Sequence, residues 1–211
     1  CEIDLPTVPL TDVNDELGRI ALCTLSAVNW GNVKSPKDFE KPCTLAVRGL
    51  DALLSYQNYP IRAAELATQE FRPLGIGIIN FAYFLAKHDV SYSDPKALAL
   101  VDEYAEAWSY YLIKASVDLA EEFTPCPKHA DTKYSAGIMP IDTYKKDVDD
   151  LVAPNYKMDW DGLALRASAF GIRNSTLMAL MPAETSAQIS NSTNGIEPPR
   201  ALVSIKQSKD G

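Results

Sequence analysis

Histidine is almost missing from this 211-residue chain. There are two, His88 and His129, and neither has a partner at metal-ligand spacing. Cysteine is sparse as well: Cys1, Cys23, Cys43 and Cys126 lie far apart with no CxxC pair, which excludes a zinc frame and a dense disulfide scaffold. No run of about 18 apolar residues occurs, so nothing reads as a membrane span. A signal-peptide pattern is missing too, and with scattered thiols this points to a reducing, cytoplasmic compartment. Internal repeats and low-complexity tracts are absent. Positive charge is outweighed, 20 Lys and Arg against 28 Asp and Glu, for a formal charge of −8. That balance argues against a general grip on nucleic-acid phosphates or on an anionic membrane. It leaves room for a local anion pocket of backbone N–H groups. The start lacks a Met and the finish is a polar SIKQSKDG, so both ends are expected to be cuts from a longer protein.

What is present is an ordinary globular composition, 46% apolar and 23% charged, with enough length for a sizeable core. IALCTLSAVNW (20–30) is a dense apolar run, read as a buried strand or a strand entering a turn. From Ser35 to Tyr56, Phe39, Cys43, Val47, Leu50 and Leu54 recur at helical spacing, with Pro36 suited to the first turn. GIGIINF (75–81) has the look of a buried parallel strand or of a tight turn into a helix. Ser93 to Phe123 predicts a long amphipathic helix with Leu98, Val101, Ala105, Trp108, Leu112, Ala115 and Leu119 on one stripe. A loop is expected over 124–140 and a polar helical stretch from Thr143. Another helix is expected from Asp159 to Phe170, stopped by Gly171. The apolar run 176–181 reads as a buried strand ending at Met181. Helices alternating with short buried strands indicate an α/β fold.

Few stretches carry chemistry. In MPAETSAQIS, Thr185 stands three residues before Gln188, a capping-box pattern. The plain reading is a capped helix; the functional one is that the helix start and the hydroxyls of Thr185 and Ser186 hold phosphate. Both readings stand at this level. NSTNGIEPPR adds only an ordered turn at Asn194-Gly195. Cys23, Cys43 and Cys126 read locally as small buried hydrophobes. Glu2, beside an apolar stretch, is either a solvated chain end or a carboxylate whose pKa burial lifts into a general-base range.

Four stretches taken together carry a resemblance: ALCTLSAVN (21–29), GIGIINFAYFLAKH (75–88), GIMPIDTYKKD (137–147) and RNSTLMALMPAETSAQISNSTNGIEPPR (173–200). They resemble the large, catalytic subunit of aerobic class I ribonucleoside-diphosphate reductases of bacterial and phage type, in unbroken order over essentially the whole chain. The resemblance implies the latter part of a ten-stranded α/β barrel and the start of the region after it over 1–211, with no separate second domain. It implies reduction of ribonucleoside diphosphates to deoxyribonucleoside diphosphates by thiyl-radical chemistry, supplying DNA precursors. The family pattern Asn-x-Cys-x-Glu, an apolar residue, then Leu-Pro-Thr is matched from its glutamate onward by Glu2-Ile3 and Leu5-Pro6-Thr7. The radical cysteine would then stand just ahead of residue 1. Cys1 falls on the variable position, where its backbone would line the pocket but its thiol would take no part.

In that register Glu2 would take the 3′-OH proton while the thiyl radical removes the 3′ hydrogen and water leaves C2′. Cys23 would be one member of the cysteine pair that supplies two electrons and closes to a disulfide, re-reduced by thioredoxin or glutaredoxin. Leu25 would pack near the base or ribose. Pro182 and Ala183 would lead into Glu184, Thr185 and Ser186, the substrate-diphosphate loop; relatives often carry Ser where Ala183 stands, so one hydroxyl contact is lost. No metal or cofactor is expected on this chain. ATP and dNTP effectors would bind regions outside it, and a dimetal-tyrosyl radical would belong to a small radical-generating partner subunit. Further expected partners are the upstream half of the large subunit and, for the intact subunit, a second copy. The alternative reading is a non-catalytic complementation fragment of a split or intein-interrupted reductase, inactive until docked to the upstream half. A relative of the adenosylcobalamin-using class is disfavoured by the wording of MPAETSAQIS and NGIEPPR.

Overall fold

The computed structural model describes residues 7–201 together with Val203 and Ile205. Two parallel strands, β1 (Leu25–Asn29) and β2 (Gly75–Ile79), pair in the register Leu25 with Gly75 through Asn29 with Ile79. Between them the chain crosses over through α1 (Glu40–Tyr56) and α2 (Arg62–Phe71), the connection that a parallel pair requires. Then follow α3 (Phe81–Lys87), α4 (Pro95–Glu122), the single turn α5 (Pro140–Thr143), α6 (Trp160–Phe170) and α7 (Glu184–Ile189). The mixed arrangement is the α/β class expected from the sequence.

The helix starts follow side-chain capping chemistry. Pro36 opens a short 3-10 turn running into α1, and the Ser35 N–H donates to Asp38. Asp94 accepts the Lys96 N–H at 2.9 Å with Pro95 at the first helical position, and Asp159 accepts the Gly162 N–H at 2.9 Å. Phe39, just ahead of α1, and Cys43, Val47 and Leu54 along it are fully buried, as the spacing predicts, while Leu50 is half-buried against the same core. Burial pushes the Cys43 thiol well above the usual cysteine range and that of Cys126 up to about 11, so both behave as packing groups. The α4 stripe needs one correction. Leu98 lies at the exposed start of the helix, 45% accessible, and Ala97 is buried instead. In the second half Leu112, Ile113, Ser116, Val117 and Ala120 are buried on several sides at once, because α1 packs on one flank and α6 on another. Trp30 anchors this core, with the rings of Phe39 at 5.1 Å and Phe84 at 5.3 Å edge-on to it.

Two other expectations fail. The polar helix from Thr143 is absent: α5 ends at Thr143, and Lys146–Asp150 forms only a 3-10 turn in which none of the residues is buried. With no apolar face to pack, such a stretch has nothing to hold a longer helix together. The run 176–181 makes no regular strand either. It lies parallel to β2 through one bridge, Ile76 to Met178, with the Ile76 N–H donating to Leu177 O at 2.8 Å. Gly77 explains how closely it approaches. A Cβ there would sit 2.4 Å from Met181 Sδ and 2.5 Å from the Ala179 carbonyl. Gly77→Ala is therefore expected to lower stability by about 1–3 kcal/mol through overpacking, read as a lower urea midpoint in a full-length large subunit carrying this sequence.

A buried polar cluster locks these layers. Asp51 Oδ1 accepts from Arg72 Nε at 2.7 Å and from Asn174 Nδ2 at 2.9 Å, while Arg173 Nε reaches Asp51 Oδ2 at 3.3 Å. Ser116 Oγ donates to Asn174 Oδ1 and accepts the Asn174 N–H, both at 2.9 Å. Arg72 closes α2 at φ +45°, turning its guanidinium back under α1. So α1, α2, α4 and the segment leading to 176–181 meet at one carboxylate.

Candidate functional site

Strand alternation separates the face of the sheet packed on the large helices from the face that Leu25 shares. Val28, Ile76 and Ile78 pack with the helices. The opposite parity, Leu25 and Ala27 on β1 with Gly75, Gly77 and Ile79 on β2, looks away from them. On that second face Ala27, Ile79, Met181, Ala183 and Ala187 form a separate small cluster. Cys23 precedes β1 by two residues and shares the parity of Leu25. It is half-buried, and Leu25 is 38% exposed. The sequence placed Cys23 in a buried strand; instead β1 begins after it, and the Thr24 carbonyl accepts the Gly75 N–H at 2.9 Å.

At the carboxyl end of the sheet, Pro182, Ala183, Glu184, Thr185 and Ser186 line a concavity of about 290 Å³. Cys23 does not join them. It lies toward the other end of β1, a strand of five residues and so about 17 Å long. The structure thus brings the five loop residues together and leaves Cys23 and Leu25 further back along the same face. Cys1 and Glu2 lie outside the described residues. A larger apolar cavity of about 500 Å³, lined among others by Trp30, Ile78, Phe81, Trp108 and Met178, sits on the helix side of the sheet and carries no reactive group.

The capping box is overturned. Helix α7 starts at Glu184, its N-cap is Ala183, and no side chain of the cap bonds to it. Thr185 is inside the first turn. The stabilising partner comes from eleven residues downstream: Asn194 Oδ1 accepts the Ala183 N–H at 2.7 Å. Released from capping duty, the Thr185 and Ser186 side chains are exposed at the concavity. Asn194 itself is held through its neighbour. The Asn80 N–H donates to the Thr193 carbonyl at 2.8 Å, and the Thr193 N–H to Asn80 Oδ1 at 3.2 Å. Asn80 Nδ2 then donates to Asn29 Oδ1 at 3.0 Å, and Asn29 Nδ2 to Ser192 Oγ at 2.9 Å. Sequence reading missed Asn29, Asn80, Ser192 and Asn194. Asn194-Gly195 signalled only a turn, and nothing local says that a turn residue reaches back to a helix start.

Among the described residues, no group of three or more His, Cys, Asp or Glu could hold a metal ion, and no helix is long and apolar enough to cross a membrane. His129 Nδ1 accepts the Ile172 N–H at 3.3 Å, and burial lowers its pKa. His88 packs against the rings of Phe84 and Tyr104.

Comparison with known proteins gives one answer. The family described as ribonucleotide reductase, barrel domain, matches over residues 1–211. The chain is 56% identical over 210 residues to the ribonucleoside-diphosphate reductase subunit alpha of Haemophilus influenzae. It is 58% identical over 210 residues to ribonucleoside-diphosphate reductase 1 subunit alpha of Salmonella typhimurium, and 49% identical over 214 residues to the subunit alpha of Enterobacteria phage T4. Each alignment takes in 100% of this chain but 28% of the relative, so the chain spans little more than a quarter of their length.

Proposed function

The chain belongs to the ribonucleotide reductase barrel-domain family, and from that membership we propose that it forms the substrate-diphosphate side and one redox thiol of a catalytic subunit that reduces ribonucleoside diphosphates. One observation carries the reading. The face of the sheet turned away from the large helices bears Leu25, with Cys23 two residues ahead of it, and runs to a concavity rimmed by the exposed side chains of Thr185 and Ser186. A nucleoside diphosphate seated with its phosphates on that loop points its sugar back along the strands, toward Leu25 and Cys23. The loop hydroxyls and backbone orient the phosphates.

In this reading Cys23 gives up its proton and one electron of the pair that reduces the sugar, closing a disulfide with a cysteine supplied from outside these residues. A thioredoxin-type dithiol reopens it. Glu2 is the carboxylate for the 3′-OH proton, and Cys1 contributes backbone to the pocket wall. The thiyl cysteine comes from chain ahead of Glu2, and the radical itself from a small partner subunit. The names of the relatives support the catalytic-subunit role, and the exposed loop supports the substrate class.

The test is the grip on phosphate. In a full-length large subunit carrying this sequence, Ser186→Ala is expected to weaken CDP binding by about 1–2 kcal/mol, the worth of a hydrogen bond to a charged group. Stability should change by less than about 0.5 kcal/mol, since Ser186 is exposed and caps nothing. Calorimetric titration of wild type and variant measures the first, and a urea melt the second. Unchanged CDP affinity would remove the loop from the substrate site.

A further inference from the structure

The geometry points to Asn194 as a positioning residue for the diphosphate loop, fixing its first N–H from a platform built on the ends of both strands. The inference rests on the reading of Pro182–Ser186 as the phosphate-holding loop and deepens it. Most helix starts are fixed by their own N-cap side chain, which orients the first turn relative to the helix alone. Here the cap residue is Ala183, with no side-chain acceptor to offer. What is held instead is the cap residue's own N–H, which Asn194 Oδ1 accepts at 2.7 Å. Because residue 193 is clamped through both its N–H and its carbonyl to Asn80, the loop is oriented relative to the sheet instead.

Two independent features show that this platform is built to hold its shape. Asn80 occupies the left-handed region at φ +66°, a conformation Asn tolerates better than most residues. There it directs its main chain and its side chain to the same strap. And a Cβ on residue 31 would lie 2.3 Å from Asn80 Nδ2, so Gly31 leaves the space that the Asn80 amide needs to reach Asn29. Asn29 closes the circuit by donating to Ser192. Strand ends β1 and β2 therefore both fix the strap 192–194, and the strap fixes the loop. Sub-ångström placement is what a phosphate site built from backbone and hydroxyl donors needs, since misplaced donors lose most of their effect.

The test uses a full-length large subunit carrying this sequence, with CDP and CMP as probes. Asn194→Ala is expected to raise the Kd of CDP by about fivefold to tenfold, within what loss of one neutral hydrogen bond's worth of placement gives. It should also reduce the preference for CDP over CMP. The distinguishing measurement is a double-mutant cycle with Ser186→Ala. If Asn194 acts by placing the loop, Ser186→Ala costs markedly less affinity in the Asn194→Ala background than in wild type. If the two effects simply add, or if Asn194→Ala leaves CDP affinity within twofold while Ser186→Ala weakens it, the positioning role is overturned and the loop reading stands. If Ser186→Ala has no effect on CDP in the wild-type background, the loop reading fails and the inference goes with it. Should Asn194→Ala not fold, Ser192→Ala decides. It removes the hydroxyl at the far end of the relay and is expected to raise the CDP Kd about twofold to threefold. No change there would overturn the proposal.

Discussion

Cys23→Ser in a full-length large subunit carrying this sequence is expected to drop steady-state reduction of CDP with thioredoxin to background, at least on the order of 100-fold. Each turnover needs two electrons, and a hydroxyl can neither supply one nor close a disulfide. The loss should fall on turnover, with CDP affinity close to wild type. Cys23 lies toward the far end of β1 from the Pro182–Ser186 concavity and is not among the residues that line it. Serine is nearly isosteric at this half-buried position, so folding should be preserved. Turnover assays with thioredoxin, paired with calorimetric CDP titration, separate the two effects. Wild-type steady-state turnover would remove Cys23 from the redox pair; lost CDP binding would show that it shapes the pocket instead.

Asp51→Ala is expected to be the most damaging change to the fold, costing about 3–5 kcal/mol, because it strands a buried guanidinium. Arg72 is 3% exposed and its other partners are neutral: the Asp51 carbonyl, Ser55 and Gln69. The same change removes an acceptor from the fully buried Asn174. Arg72→Met should cost less, since Arg173 remains at 3.3 Å to balance the Asp51 carboxylate. Replacing both, Asp51→Leu with Arg72→Met, should recover part of the loss by removing the uncompensated charge. Urea melts of the three variants rank them. A cost for Asp51→Ala below that of Arg72→Met would contradict the arrangement.

The damage from Asp51→Ala should also reach the nucleotide. Asn174, held by Asp51 and Ser116, begins the segment that runs beside β2 to Met181 and into Pro182. The cluster therefore fixes the amino end of the segment whose carboxyl end carries the candidate phosphate loop, as Asn194 fixes the loop itself.

Several of these features were legible in the sequence for local reasons. The spacing of Phe39, Cys43, Val47 and Leu54 is itself the geometry of one helix face. Asp159 and Gly171 mark the two ends of α6, each through groups within a turn of itself. The glycine-led apolar run at 75–79 predicts a strand buried on both faces, and all five of its residues are buried. The resemblance to the reductase family, too, rests on short contiguous stretches.

What escaped was decided by partners distant in sequence. Thr185 and Gln188 have the spacing of a capping box, yet the helix starts at Glu184 and puts Thr185 inside its first turn, while the N–H of its cap residue Ala183 is held by Asn194 from another strap. Leu98 lies on the right stripe but beyond the reach of the neighbouring helices, so periodicity alone assigned it to the core. Nothing along the chain pairs Asp51 with Arg72, twenty-one residues apart; the crossover from β1 to β2 folds α2 back beneath α1 and buries them together. Which residues share a face of the sheet follows from the register of β1 against β2. That pairing, not the alternation within either strand, puts Gly77 opposite Ala27, on the side where Met181 and Ala179 close over the glycine. Periodicity and capping act within a few residues and so can be read along the chain. A hydrogen bond from Ala183 to Asn194, or a carboxylate shared by residues 72, 173 and 174, exists only once the layers have packed.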